Sequence, residues 1–178
     1  TAIALTDGTQ ILIDTINVLP DSTSIHLPTP ATTFTFPSSG PGTAIALNSN
    51  GNTEFIGQLT GAGTVFANQD SSAIGVGWGA ATDFTFDGVI SSGGSVNNST
   101  YNDPYLVKVG TTRMTLTNNH TTAGHLVVYQ GELTRAGPNG KWGSPTSAAT
   151  ELRLSRGGTL IFDNTVNAVA DRQGLTGG

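Results

Sequence analysis

The sequence predicts an all-β chain wound as a single-domain β-solenoid, a parallel β-helix in its regular part, and three observations lead there. From residue 83 to residue 172, short runs that alternate apolar or β-branched residues with polar ones recur, separated by turn residues. No helical period interrupts them. The composition suits strands throughout: only 11% of the 178 residues are charged, 24 are Gly, and Thr, β-branched yet polar, serves well on a solvated strand face.

The runs can be read in order. They are Asp83-Phe-Thr-Phe-Asp-Gly-Val-Ile90, Leu106-Val-Lys-Val-Gly110, Thr112-Arg-Met-Thr-Leu-Thr117, His125-Leu-Val-Val-Tyr129, Glu132-Leu-Thr-Arg135, Glu151-Leu-Arg-Leu-Ser155 and Thr159-Leu-Ile-Phe-Asp163. Upstream, Glu54-Phe-Ile-Gly-Gln-Leu59, Gly63-Thr-Val-Phe-Ala67 and Ala73-Ile-Gly-Val-Gly-Trp78 are further strand candidates, with Gly where side chains would crowd. Residues 91–104 and 136–145 are rich in Gly, Pro and Asn and read as loops. Prolines 20, 28, 30, 37 and 41 cannot donate to a central ladder, so the first half, residues 1–80, is expected to be less regular than residues 83–172. No domain boundary is visible.

Two segments of the first half match each other: Thr1-Ala-Ile-Ala-Leu5 recurs as Thr43-Ala-Ile-Ala-Leu47. The expectation is that they are equivalent strands of successive winds. A wound sheet leaves unpaired N–H and C=O groups at its first and last strands unless they are covered. Thr1, Ala2, Ile3, Ala4 and Leu5, with Ile11, Leu12 and Ile13, are apolar and uncapped, and are therefore candidates for a self-assembly edge. The opening at Thr1 and the lack of a leader suggest a mature or excised segment.

Charge and cysteine content exclude several classes. The net charge is −5 and the seven Lys and Arg are scattered, which leaves no footprint for nucleic acid or anionic lipid. No apolar run approaches the roughly 20 residues that cross a bilayer, so membrane insertion by this segment is not expected. Without Cys there is no disulfide framework, thiolate metal site or Cys nucleophile. Richness in Gly, Thr and Asn with little Lys and Glu fits an extracellular or bacterial cell-surface protein.

Residues 86–172 carry an ordered set of motifs: Phe86-Asp-Gly-Val-Ile90, Leu106-Val-Lys-Val-Gly-Thr-Thr-Arg-Met-Thr-Leu-Thr-Asn-Asn119, Thr122-Ala-Gly-His-Leu-Val-Val-Tyr-Gln-Gly-Glu-Leu133, Trp142-Gly143, Gly158-Thr-Leu-Ile-Phe-Asp-Asn164 and Asp171-Arg172. In this order they resemble the autotransporter-associated β-strand repeat of bacterial surface and secreted passenger proteins. The resemblance implies a right-handed parallel β-helix outside the cell, structural or adhesive, with no catalytic residues. The chain departs from the pattern after Ser92, at Thr112-Arg113 and at His125.

Glycoside hydrolysis needs two carboxyl groups roughly 5–9 Å apart, and Asp83 and Asp87 could approach Glu132, Glu151 or Asp163 one wind away. At turns, however, Asp is favoured by its local backbone bonds, so no catalytic residue is assigned. His26, His120 and His125 fit no closed zinc pattern. No cofactor is expected, apart from a weak calcium candidate at Asn102 and Asp103, hard oxygen ligands without the spaced Asp repeats of calcium-binding rolls. Trp78 and Trp142, set among glycines, are candidates for stacking on sugar rings.

The expectation is thus a non-enzymatic extracellular scaffold. Its partners are neighbouring solenoid segments or further copies of itself, in a head-to-tail homopolymer, and surface glycans. A filament subunit joined through its ends or by strand donation is the alternative, and a polysaccharide-binding or polysaccharide-degrading β-helix is a further one.

Overall fold

In the computed structural model, residues 1–6, 8–13, 19–29, 44–47, 53–67, 73–92, 105–118, 126–136, 152–155 and 157–163 are described. Among them are sixteen short strands and no helix: β1 (Ala2–Ala4), β2 (Gln10–Ile13), β3 (Ser24–Leu27), β4 (Ala44–Leu47), β5 (Thr53–Ile56), β6 (Leu59–Gly61), β7 (Thr64–Ala67), β8 (Ala73–Val76), β9 (Phe84–Phe86), β10 (Val89–Ser92), β11 (Tyr105–Lys108), β12 (Arg113–Leu116), β13 (Leu126–Val128), β14 (Glu132–Ala136), β15 (Leu152–Leu154) and β16 (Thr159–Asp163). The downstream runs read from the sequence coincide with β9 to β16. The proline-bearing first half also contributes paired strands, β1 to β8, although residues 30–43 lie outside the described ones.

The strands form three sheets. Sheet I has the order β1-β3-β6-β9-β12-β14-β16, sheet II β2-β4-β7-β10 and sheet III β5-β8-β11-β13-β15. Every pairing is parallel. Parallel neighbours need a crossover of a dozen residues or more. Here the crossovers carry strands of the other sheets: from β3 to β11 the chain visits sheets I, II and III in strict rotation, three times over. From β12 onward the described strands alternate between sheets I and III. Register partners are unequally spaced along the chain, 34 residues for His26 and Thr60 but 19 for Arg113 and Glu132. The spacing varies because the links between strands differ in length, while the strands themselves stay at three to five residues.

Side-chain alternation explains why the three sheets hold together. Phe84, Met114 and Leu133 line up across sheet I, Val65 and Ile90 across sheet II, and Ile74, Leu106 and Leu126 across sheet III. All belong to one continuous hydrophobic cluster. Phe86, Leu116, Ile56 and Leu59 in that cluster are fully buried. Each large apolar side chain so buried stabilises the fold by about 1.5–3 kcal/mol. The intervening positions face away from this core; on sheet I, Thr85 and Thr115 are register partners between buried neighbours.

The corner after sheet III depends on glycine. Gly77 follows β8 with φ +112° and Gly110 follows β11 with φ +71°, a backbone region open to glycine at little cost. A Cβ on Gly110 would stand 2.1 Å from the Gly77 carbonyl oxygen. Backbone therefore packs directly on backbone where the chain leaves these two neighbouring strands.

The matching pentapeptides are not equivalent strands. Ala2–Ala4 is β1, at the edge of sheet I beside β3, whereas Ala44–Leu47 is β4, inside sheet II between β2 and β7. An identical local pattern encodes a strand in both places, but the neighbours available differ.

Phe86→Ala is expected to lower the unfolding free energy by about 3–5 kcal/mol, and Gly110→Ala by about 2 kcal/mol or more through strain and backbone overlap. Thr85→Ala, on the exposed face, is expected to change it by less than about 1 kcal/mol. Urea unfolding followed by circular dichroism measures all three.

Candidate functional site

The carboxylates nominated from the sequence hold strands together. Asp83 and Asp87 flank β9, and each reaches across to β12: Asp83 Oδ1 accepts the Arg113 backbone N–H at 2.8 Å, and Asp87 Oδ1 accepts the Thr117 hydroxyl at 2.6 Å. The Asn118 side-chain amide donates to the Asp87 carbonyl at 3.1 Å. On the next strand, Glu132 Oε2 takes both Arg113 Nε and Nη2 at 2.6 Å. That bond raises the Arg113 guanidinium pKa further above its ordinary value. Asp83, Arg113 and Glu132 thus form an exposed polar row over β9, β12 and β14, in which each acid serves as an acceptor between strands. Asp163 ends β16, and Glu151 lies outside the described residues.

Three charged residues, Glu54, Lys108 and Arg135, occupy inward positions. Glu54 has the parity of buried Ile56 and is itself 1% exposed; its Oε1 accepts the Leu19 N–H at 2.8 Å. Arg135 has the parity of buried Leu133, is 4% exposed, and lies 5.3 Å from the centre of the Phe162 ring. Lys108 shares its parity with Leu106, pairs in register with Val76 and Val128, and is fully buried. The signal was present in each case, because i and i+2 on a strand share a face.

The Lys108 ammonium turns into the corner after sheet III. It donates to the carbonyls of Val109 at 2.6 Å, Gly110 at 2.9 Å and Gln130 at 3.4 Å. Corner carbonyls facing inward have no ladder partner, and a buried acceptor left unsatisfied is costly. One cation satisfies carbonyls that follow two neighbouring strands, β11 and β13. Burial lowers its pKa from 10.5 to about 8, an effect partly opposed by the charge of Asp83.

The remaining candidates are placed as follows. The His26 ring on β3 is exposed, with Nδ1 2.9 Å from the Thr60 hydroxyl of the paired strand. His120, His125, Trp142, Asn102 and Asp103 lie outside the described residues, so the calcium expectation falls there too. Among the described residues no three His, Asp or Glu side chains gather as a metal site would require. Trp78 is 51% exposed and its ring lies 5.8 Å from that of Phe55, tilted by 58°. Among the described residues, β1, carrying Ala2, Ile3 and Ala4, pairs only with β3, and β2, carrying Ile11, Leu12 and Ile13, only with β4. Thr1 and Leu5 flank β1; the Thr1 carbonyl accepts the Ser24 N–H, and Leu5 N–H donates to His26.

No protein-family model matches the chain, and no curated protein or solved structure shows detectable similarity to it.

Linkage at Lys108 can be measured. Between pH 8 and 10.5 the unfolded chain keeps a lysine proton that the folded chain has released, so this group makes stability rise with pH across that window. Below pH 8 both states are protonated and its contribution is flat. Lys108→Met is expected to lose the alkaline rise, seen as a wild-type minus variant difference in urea unfolding at pH 7.5, 9 and 10.5. Lys108→Ala, which also empties the corner, is expected to cost about 2–4 kcal/mol at pH 7.

Proposed function

We propose that the chain is a non-enzymatic extracellular scaffold: a right-handed parallel β-helix that serves as a structural or adhesive block of a bacterial surface fibre or autotransporter-like passenger. The observation that carries this reading is that strands of three parallel sheets, visited in rotation, contribute to one hydrophobic cluster. A coil with three faces produces that arrangement directly, and parallel crossovers within a sheet are right-handed in about 98% of cases. The ordered motifs of residues 86–172, the low charge and the absence of Cys fit an exported solenoid. The strand-bridging roles of Asp83, Asp87 and Glu132 favour a mechanical use of these acids over hydrolysis.

A second reading, a filament subunit, is favoured by the apolar groups at the last described strands. Leu154 on β15 is 55% exposed and Phe162 on β16 is 43% exposed, although their register partners Val128 and Arg135 are 0% and 4% exposed. The β1 edge, where Ile3 and Leu5 are half-buried, offers a strand of the same polarity. Addition of one copy's β1 to another's β16 would give a head-to-tail, non-closing interface.

Electron microscopy and sedimentation over a range of concentrations separate the readings. The scaffold reading predicts elongated particles of concentration-independent mass, with no turnover on a panel of polysaccharides. Compact spherical particles would contradict the coil, and turnover that Asp83→Asn or Asp87→Asn abolishes would replace the scaffold with an enzyme. Filaments that Phe162→Lys disperses, with the circular dichroism unchanged, would establish the subunit reading.

A further inference from the structure

The outward face of sheet III differs in kind from that of sheet I. Its central column, in register, is Phe55, Gly75, Val107, Val127 and Arg153. On sheet I the corresponding column is His26 and Thr60, then Thr85, Thr115 and Thr134. The outward side of sheet III therefore carries an uncharged apolar strip four strands wide, half-buried Phe55, Val107 and Val127 with buried Gly75, where alternation would ordinarily place polar residues.

Two local features build this strip. Gly75 leaves room for the Phe55 ring to lie over the neighbouring strand; a Cβ there would stand 2.3 Å from the ring. Gly77, at φ +112°, turns the chain so that Trp78, two residues beyond inward Val76, emerges beside Phe55. Tyr129, 37% exposed, follows β13. The N–H groups of Gly77, Val109 and Tyr129 each bond to the preceding strand of sheet III, at Ile56, Val76 and Lys108. Trp78 and Tyr129 thus project from corners two strands apart, roughly 10 Å at the usual strand spacing.

We propose that this strip binds an extended neutral glycan chain, with Trp78 and Tyr129 as stacking platforms at its border and Phe55 bracing the Trp78 ring. Sugar rings present apolar C–H faces to aromatic rings while their hydroxyls stay in water. A pyranose unit in an extended β-linked chain is about one strand spacing long, so two aromatic platforms two strands apart suit alternate sugars. The lack of any ionisable side chain in the column from Phe55 to Val127 selects a neutral chain over an acidic one. The proposal rests on the outward face of the coil described above and supplies a ligand class for its adhesive role.

The test uses the full chain with Trp142→Phe as background, so that fluorescence reports Trp78. Titration with cellohexaose is expected to shift the Trp78 emission, with weaker binding of glucose and of the curved maltohexaose. Trp78→Ala, followed by calorimetry, and Tyr129→Ala are each expected to weaken binding about tenfold or more while the strand signal in circular dichroism is kept. No emission shift with cellohexaose, or unchanged affinity in both variants, overturns the proposal. Equal affinity for maltohexaose overturns the matching of platforms to an extended chain. A change of sedimentation in Trp78→Ala, without glycan binding in the parent, makes the strip a contact between copies instead. Loss of the strand signal in the parent would count against the coil itself, which separates that failure from failure of the glycan site.

Discussion

Everything in this molecule hangs on parallel backbone pairing between strands distant in sequence. No described strand pairs with its immediate successor; β9 lies between β6 and β12, and its polar contacts with the β12 side span 30 residues. Each pairing closes a loop before any hydrogen bond rewards it, so the entropy of closure must be recovered collectively. The shared core is what makes recovery possible. Side chains from three sheets enter a single cluster, so a strand that docks in register gains apolar contact at the same time as a ladder.

Register, in turn, is protected by the polar details. A slip of one residue would turn every inward side chain outward. The Asp83 and Asp87 carboxylates bracket β9 and fix β12 against it from both ends. Lys108 does the same from within, because its ammonium reaches carbonyls on its own corner and on the next one, at Gln130. Among the described residues, Asp83, Asp87, Glu132, Arg113, Glu54 and Lys108 thus act as fasteners between strands and corners, so acids that look like chemistry in the sequence have structural partners in the fold.

Much of this was legible beforehand. The alternation in Thr112-Arg-Met-Thr-Leu-Thr117 marks β12, its buried face and its outward one, and the same holds for β9 and β13, whereas in β14 the outward Thr134 is buried as well. What local pattern does not encode is which neighbour a strand will find. The pentapeptide shared by residues 1–5 and 43–47 shows this most clearly, since its two copies sit in different sheets. The inward charges were hidden for a different reason. Glu54, Lys108 and Arg135 follow the parity of Ile56, Leu106 and Leu133, but their residue types argue for water, and only the Leu19 amide, the corner carbonyls and the Phe162 ring show what each meets inside. Trp78 stood out by its type and its glycine neighbours, while its companion Phe55 needed the register to be recognised.

The most direct test of the account exploits the absence of native cysteine. Two Cys residues bridge only when their Cα atoms lie roughly 4.4–6.8 Å apart, a condition met by outward neighbours on adjacent strands. The double variant Thr85→Cys/Thr115→Cys, outward partners in sheet I, is therefore predicted to form an intramolecular disulfide on mild oxidation of the folded chain. Thr85→Cys/Val107→Cys, whose residues face outward from different sheets, is predicted to stay reduced. Bridging of the second pair in preference to the first would contradict the three-sheet arrangement on which the whole account stands.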